Sequence, residues 1–248
     1  KGDDGITVEL PLTGATGTTL DCLDIQGLIN SGGVIDTLET LKCGEAYSLY
    51  SPTCNSFNFD GTDDYIEAPI NAAYDLDKGS PMSFECWVKL DTLGVFTYLV
   101  SKYIGTRGIA FSVGNTNEIR LDLQNAGGLN GLILNSSGAS LITGVWYHLA
   151  CTYDGTSLAS GVKFYKDGVL VPNAVPIFDN LTLTILNAAR VHIGRSGTYY
   201  SDVKINTTRW WDVELTPGEV LTQYNSGQLL SAPVQSANLI LDSANGNG

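Results

Sequence analysis

Asp60-Gly61-Thr62-Asp63-Asp64 packs several oxygen donors into one short stretch. Carboxylates at that density suit a hard cation, calcium above all, so Asp60, Asp63 and Asp64 are candidate metal ligands. The same residues also suit a plain turn, in which Asp side chains accept from nearby backbone N–H groups. A second acidic pair, Glu118 and Asp122, lies in Glu118-Ile119-Arg120-Leu121-Asp122. Glycoside hydrolysis needs an acid and a base or nucleophile roughly 5–10 Å apart. This pair is flanked by ordinary alternation and reads better as a solvated strand face. His148 and His192 have no Ser or Cys nucleophile in a motif around them, so each is expected to be structural. No catalytic residue is assigned, and the chain is expected not to be an enzyme.

Sugar recognition calls on exposed aromatic rings with polar groups beside them. The stretch Arg195-Ser196-Gly197-Thr198-Tyr199-Tyr200 supplies Arg195, Tyr199 and Tyr200, and Tyr98 and Tyr103 are further candidates. Tyr199 and Tyr200 are neighbours, so on a strand they point to opposite faces and only one meets a given ligand. Packing at a rim is the alternative for these rings. Trp210 and Trp211 are expected in the core.

Those residues need a scaffold, and composition narrows it. The 248 residues are 43% hydrophobic and 16% charged, with 28 glycines. That is enough chain for one full core, and the glycines suit many short strands joined by tight turns. A net charge of −13 opposes binding to nucleic-acid phosphates or anionic lipid, which calls for a Lys/Arg-rich face. No apolar run approaches the roughly 18–20 residues of a membrane-spanning helix. Lys1 stands first in place of Met, which favours a removed leader or a processed product, and so export or particle maturation. Cysteines at 22, 43, 54, 86 and 151 cannot all pair within one chain. Cys86 and Cys151 fall at inward strand positions as buried thiols, while a disulfide among Cys22, Cys43 and Cys54 stays open.

Period-two alternation marks the strands. Ile6, Val8, Leu10 and Leu12 form one apolar face, and Pro11 favours a sheet edge there. Residues 1–54 read as an N-terminal arm or cap, 55–230 as the sandwich and 231–248 as a C-terminal tail. Strands are predicted at 56–59, 65–68, 82–90, 98–103, 108–114, 118–124, 129–135, 146–153, 161–166, 169–171, 181–185, 190–194 and 210–211. Their number and spacing predict an all-β fold of two antiparallel sheets packed face to face. One short helix follows Thr216-Pro217-Gly218-Glu219, a capping box with Pro at the first helical position. Val220, Leu221 and Tyr224 form its predicted apolar face and Gly227 its stop.

Four segments in order carry a resemblance. They are Phe57-Asn58-Phe59-Asp60-Gly61-Thr62-Asp63-Asp64-Tyr65-Ile66, Phe84-Glu85-Cys86-Trp87-Val88-Lys89, Trp146-Tyr147-His148-Leu149-Ala150-Cys151-Thr152-Tyr153-Asp154-Gly155, and Ile193-Gly194-Arg195 with Arg209-Trp210-Trp211. They resemble the laminin-G-like branch of the concanavalin A-like lectin/glucanase superfamily. The resemblance implies a jelly-roll sandwich and brings the Asp60–Asp64 loop near the penultimate strand. There Asn206 stands where the family has Asp, which makes it a fourth candidate calcium ligand with one charge fewer. It also implies a non-catalytic surface module, secreted or particle-associated, that binds glycan or a surface protein. The alternative is a structural subunit of a virion or extracellular filament, self-assembling through Ile6, Val8, Leu10 and Leu12. Either role places the chain outside the cell, on a cell surface or on a virion.

Overall fold

A computed structural model describes residues 56–125, 129–225 and 233–243. The Ile6–Leu12 segment and Cys22, Cys43 and Cys54 lie outside the described residues. Two seven-stranded antiparallel sheets pack face to face. The first runs in the order β1 (Phe57–Asp60), β15 (Asp202–Trp211), β3 (Met82–Leu90), β8 (Trp146–Tyr153), β9 (Val162–Lys166), β10 (Val169–Val171). Its seventh strand, β16 (Leu239–Asp242), also pairs with β15. The second sheet runs β11 (Phe178–Asp179), β7 (Asn130–Asn135), β6 (Ile119–Asn125), β5 (Arg107–Val113), β4 (Thr97–Ile104), β12 (Val191–Ile193), β2 (Ile66–Ala68). A small ribbon of β13 (Arg195–Ser196) and β14 (Tyr199–Tyr200) follows β12.

Alternation accounts for the core. Phe84, Cys86 and Val88 of β3 point inward with Leu149, Cys151 and Tyr153 of β8, and all are at most 1% exposed. Cys86 and Cys151 are free thiols, and burial holds both well above the usual thiol range. Phe84 stacks on Phe111 of the opposite sheet, with centroids 5.7 Å apart, and on Trp210 at 5.0 Å. Burying each such ring stabilises the fold by about 2–3 kcal/mol.

Trp210 and Trp211 are both fully buried, but on opposite faces of β15. Trp210 joins the core between the sheets. Trp211 joins a second apolar cluster with Ala150, Tyr165, Leu215 and Val220, beneath the helix α1 (Pro217–Tyr224). The first sheet is therefore covered on both faces.

The structure revises four local expectations. Residues 181–185 form no strand, although Leu181 and Ile185 are buried. Side chains replace the missing neighbour strand. Asn130 Oδ1 accepts from the N–H of Thr182 and Leu183, and Asp77 Oδ1 accepts from that of Ile185. The helix buries Val220 and Gln223, while Leu221 is 55% exposed. Gln223 is drawn in because it donates to the buried Glu85 carboxylate at 2.8 Å. Asn225, in the left-handed conformation at φ 47°, ends the helix before Gly227, which lies outside the described residues. Within the stretch set apart as a tail, Leu239–Asp242 form β16 and belong to the first sheet.

Candidate binding face

Among the described residues α1 covers the outer side of the first sheet, whereas the outer face of the second carries the candidate tyrosines Tyr98 and Tyr103. Three cross-strand rungs organise it. Tyr98 of β4 lies opposite Ser112, then Arg120, then Asn135. Ser101 faces Ala110, Asp122 and Ile133, and Tyr103 faces Gly108, Gln124 and Gly131. A bulge in β4 turns both Leu99 and Val100 inward, which keeps Tyr98, Ser101 and Tyr103 on the outer face. The β5 residues are small, so tyrosines from one side and polar side chains from the other close over them. Beneath these the Ser112 hydroxyl is fully buried with no hydrogen-bond partner among the described residues.

Arg120 clamps Asp122 bidentately, with Nε–Oδ2 2.8 Å and Nη2–Oδ1 2.7 Å. Burial, reinforced by the Asp122 charge, pushes the Tyr98 and Tyr103 phenols upward, so both remain neutral hydrogen-bonding groups. Glu118 accepts from the Ser136 hydroxyl and from the backbone N–H groups of Gly138 and Ala139. Both carboxylates weighed for hydrolysis are thus engaged, one as a loop anchor and the other in an ion pair.

The β13–β14 ribbon lies over β4. Ser101 Oγ donates to the Arg195 carbonyl at 2.7 Å, and Ser201 Oγ accepts from the Tyr98 N–H at 2.8 Å. Gly194, at φ +79°, makes the turn into the ribbon, and its Cα packs so near the Phe59 ring that a Cβ would lie 2.7 Å from that ring. Arg195 pairs with Tyr200 and Ser196 with Tyr199, so the two tyrosines leave the ribbon on opposite sides, as their adjacency predicts.

The predicted ligand residues therefore divide into two clusters. Phe96, Tyr98 and Tyr199 form a ridge, with successive centroids 6.2 and 6.3 Å apart and Tyr199 66% exposed. Arg120 lies 5.3 Å above the Phe96 ring. On the other side of the ribbon, Arg195 sits 4.2 Å from the Tyr65 ring and 5.3 Å from that of Tyr200. Beside them His192 bonds Glu67 at 3.1 Å, and Arg190 bonds the second Glu67 oxygen at 2.5 Å. Burial pulls the His192 pKa down despite Glu67, while the Arg190 hydrogen bond holds Glu67 below the usual carboxylate range. Tyr103 stands apart from both clusters, further along β4. The sequence offers no signal that singles out Phe96 or Glu67, and Tyr65 lies within the first segment that carries the family resemblance.

The acidic loop is assembled only in part. Ligand atoms of Asp60, Asp63 and Asp64 lie within 4.8 Å of one another, all three residues exposed. Asp60 Oδ1 accepts from Thr62 N–H at 2.8 Å and Asp64 Oδ2 from Asp60 N–H at 3.3 Å, so the loop is also the self-bonded turn weighed against it. Asn206 is not part of this group. The register pairs Asp60 with Asp202, and Asn206 lies four residues further along β15, about 13 Å away. It is fully buried opposite Trp87, where its Oδ1 accepts from the Thr207 hydroxyl. His148 is structural: it is fully buried, with Nε2 3.0 Å from Glu85.

Residues 60–221 match the Laminin_G_3 family of the Concanavalin A-like lectin/glucanases superfamily. The chain belongs to this family. No curated protein matches it. Similar solved structures include a point mutant of HCR/D, at TM-score 0.52 and 16% identity, covering 69% of this chain and 42% of that one. Another is the CBM40 of Ruminococcus gnavus IT-sialidase bound to α2,3 sialyllactose, at TM-score 0.47 and 13% identity, covering 68% and 95%. A third is Trypanosoma rangeli sialidase, at TM-score 0.48 and 15% identity, of whose length this chain covers 27% against 69% of its own. At these identities the likeness is one of fold: a lectin-like β-sandwich.

Proposed function

We propose that this domain is a non-catalytic glycan-binding module that engages sugars, free or on a surface protein, along the ridge of Phe96, Tyr98 and Tyr199. The observation that carries it is the ridge itself, in which Phe96 stacks on Tyr98 and the largely exposed Tyr199 packs at a tilt beyond it. Pyranose rings present apolar faces that stack on aromatics, while hydroxyls need orienting polar groups, here Arg120, Gln124 and Asn135. The engagement of Glu118 and Asp122 supports a role without hydrolysis. Glycan-array screening followed by calorimetry tests the proposal. Tyr199→Ala should weaken binding about tenfold, or about 1.4 kcal/mol. Unchanged affinity in that variant, or ligand contacts mapped to another face, would sink it.

Display outside the cell, on a cell or particle surface, belongs to the same proposal, as does calcium at Asp60, Asp63 and Asp64. Their exposed carboxylate oxygens are the donor type calcium takes. Bound there, the ion would neutralise their mutual repulsion and stiffen the loop before β2. No described helix is long and apolar enough to cross a membrane.

A further inference from the structure

Arg195 differs from the cations around it. Arg120 is paired with Asp122, Arg190 with Glu67 and Lys102 with Asp75. Among the described residues Arg195 forms no ion pair, and its side chain makes one hydrogen bond, from Nε to the Gly197 carbonyl at 2.8 Å. A guanidinium carries five N–H donors, so four remain for a ligand. The Tyr65 and Tyr200 rings hold its plane from two sides, at 4.2 and 5.3 Å. This removes much of the entropy normally lost when a long side chain is fixed on binding. Glu67, the acid of this cluster, has one oxygen on Arg190 and the other on His192, so it does not neutralise Arg195.

We infer that the ligand is an acidic glycan that reaches across the β13–β14 ribbon, with its sugar on the Phe96–Tyr98–Tyr199 ridge and its oxyanion in a forked, charge-assisted contact with Arg195. This rests on the glycan-binding proposal and names the ligand class within it. A planar carboxylate fits the guanidinium fork best. A sulfate ester offers the same oxyanion chemistry and is separated by the test.

The experiment uses one array carrying neutral, carboxylated and sulfated glycans, probed with the wild-type chain, Arg195→Gln and Arg195→Lys. The wild type should favour one acidic set over the neutral set at least tenfold, and which set it favours identifies the oxyanion. Arg195→Gln should lose that preference, and an unchanged urea-denaturation midpoint shows that the variant is folded. Arg195→Lys keeps the charge without the fork and should fall between the two. The wild-type preference should shrink as sodium chloride is raised. Equal binding of all three sets, or a preference that survives Arg195→Gln, overturns the inference and leaves glycan binding standing. Binding to none of the sets removes both.

Discussion

Replacing Gly194 by Ala attacks the joint that sets the β13–β14 ribbon over β4. Two costs arise there. At φ +79° an L side chain is strained by about 1–2 kcal/mol. The new Cβ would also meet Phe59 Cδ1 at 2.7 Å and Cε1 at 2.8 Å. Phe59 is 3% exposed and pairs with Val203 in the first sheet, so its ring has little room to withdraw. Overpacking of this kind costs about 1–3 kcal/mol. Ala also narrows the unfolded ensemble, which returns about 0.4–1 kcal/mol. The net loss is roughly 2–4 kcal/mol, or about 5–12 °C in Tm for a chain of this size.

Gly197→Ala is the internal control. It has φ +59° with nothing within 4 Å of the added Cβ, so it carries the strain alone. Urea denaturation of both variants should place Gly194→Ala below Gly197→Ala by about 1–3 kcal/mol, and that gap should close in a Phe59→Ala background. Equal losses in the two variants, or a gap that persists without Phe59, would refute the steric account. Glycan binding should weaken in Gly194→Ala, because Arg195 and Tyr199 move with the ribbon.

Glu85→Ala should destabilise by about 3–5 kcal/mol in the same assay, since it removes the carboxylate that buried Arg209, His148 and Gln223 share; a loss below about 1 kcal/mol would contradict that network. Burial holds the folded His192 pKa below the ordinary histidine value of about 6.5, so the unfolded chain binds the extra proton as pH falls through that value. Stability should therefore be full above pH 6.5 and decline below it, and the slope of Tm between pH 7.5 and 5.5 should flatten in His192→Gln. Calcium should raise Tm in the wild type and not in Asp63→Asn; an equal shift in both would remove the Asp60–Asp64 loop as its site.

Strand identity was largely legible in the sequence because a two-residue period is a local property. Met82–Leu90, Trp146–Tyr153 and Val169–Val171 match residue for residue. The capping box at Thr216 is equally local and is present, with each partner bonded to the other. Residues 181–185 alternate like a strand, yet side chains of Asn130 and Asp77 supply the hydrogen bonds that a neighbour strand would have given. Leu221 and Gln223 exchanged their expected places because a carboxylate on β3, remote in sequence, offers Gln223 a buried partner.

The site followed the same division. Adjacency in the sequence was enough to send Tyr199 and Tyr200 to opposite sides of their ribbon, since successive strand side chains must alternate. Register decided the rest. It set Asp202 opposite Asp60 and buried Asn206 about 13 Å away, and it laid Tyr65 beside Arg195 across some 130 residues of chain. That the outer face of the first sheet is covered was also a tertiary outcome, fixed by α1 and Trp211 closing over it. Alternation along a strand depends only on the strand, whereas the residue on the next strand depends on a pairing that no local pattern encodes.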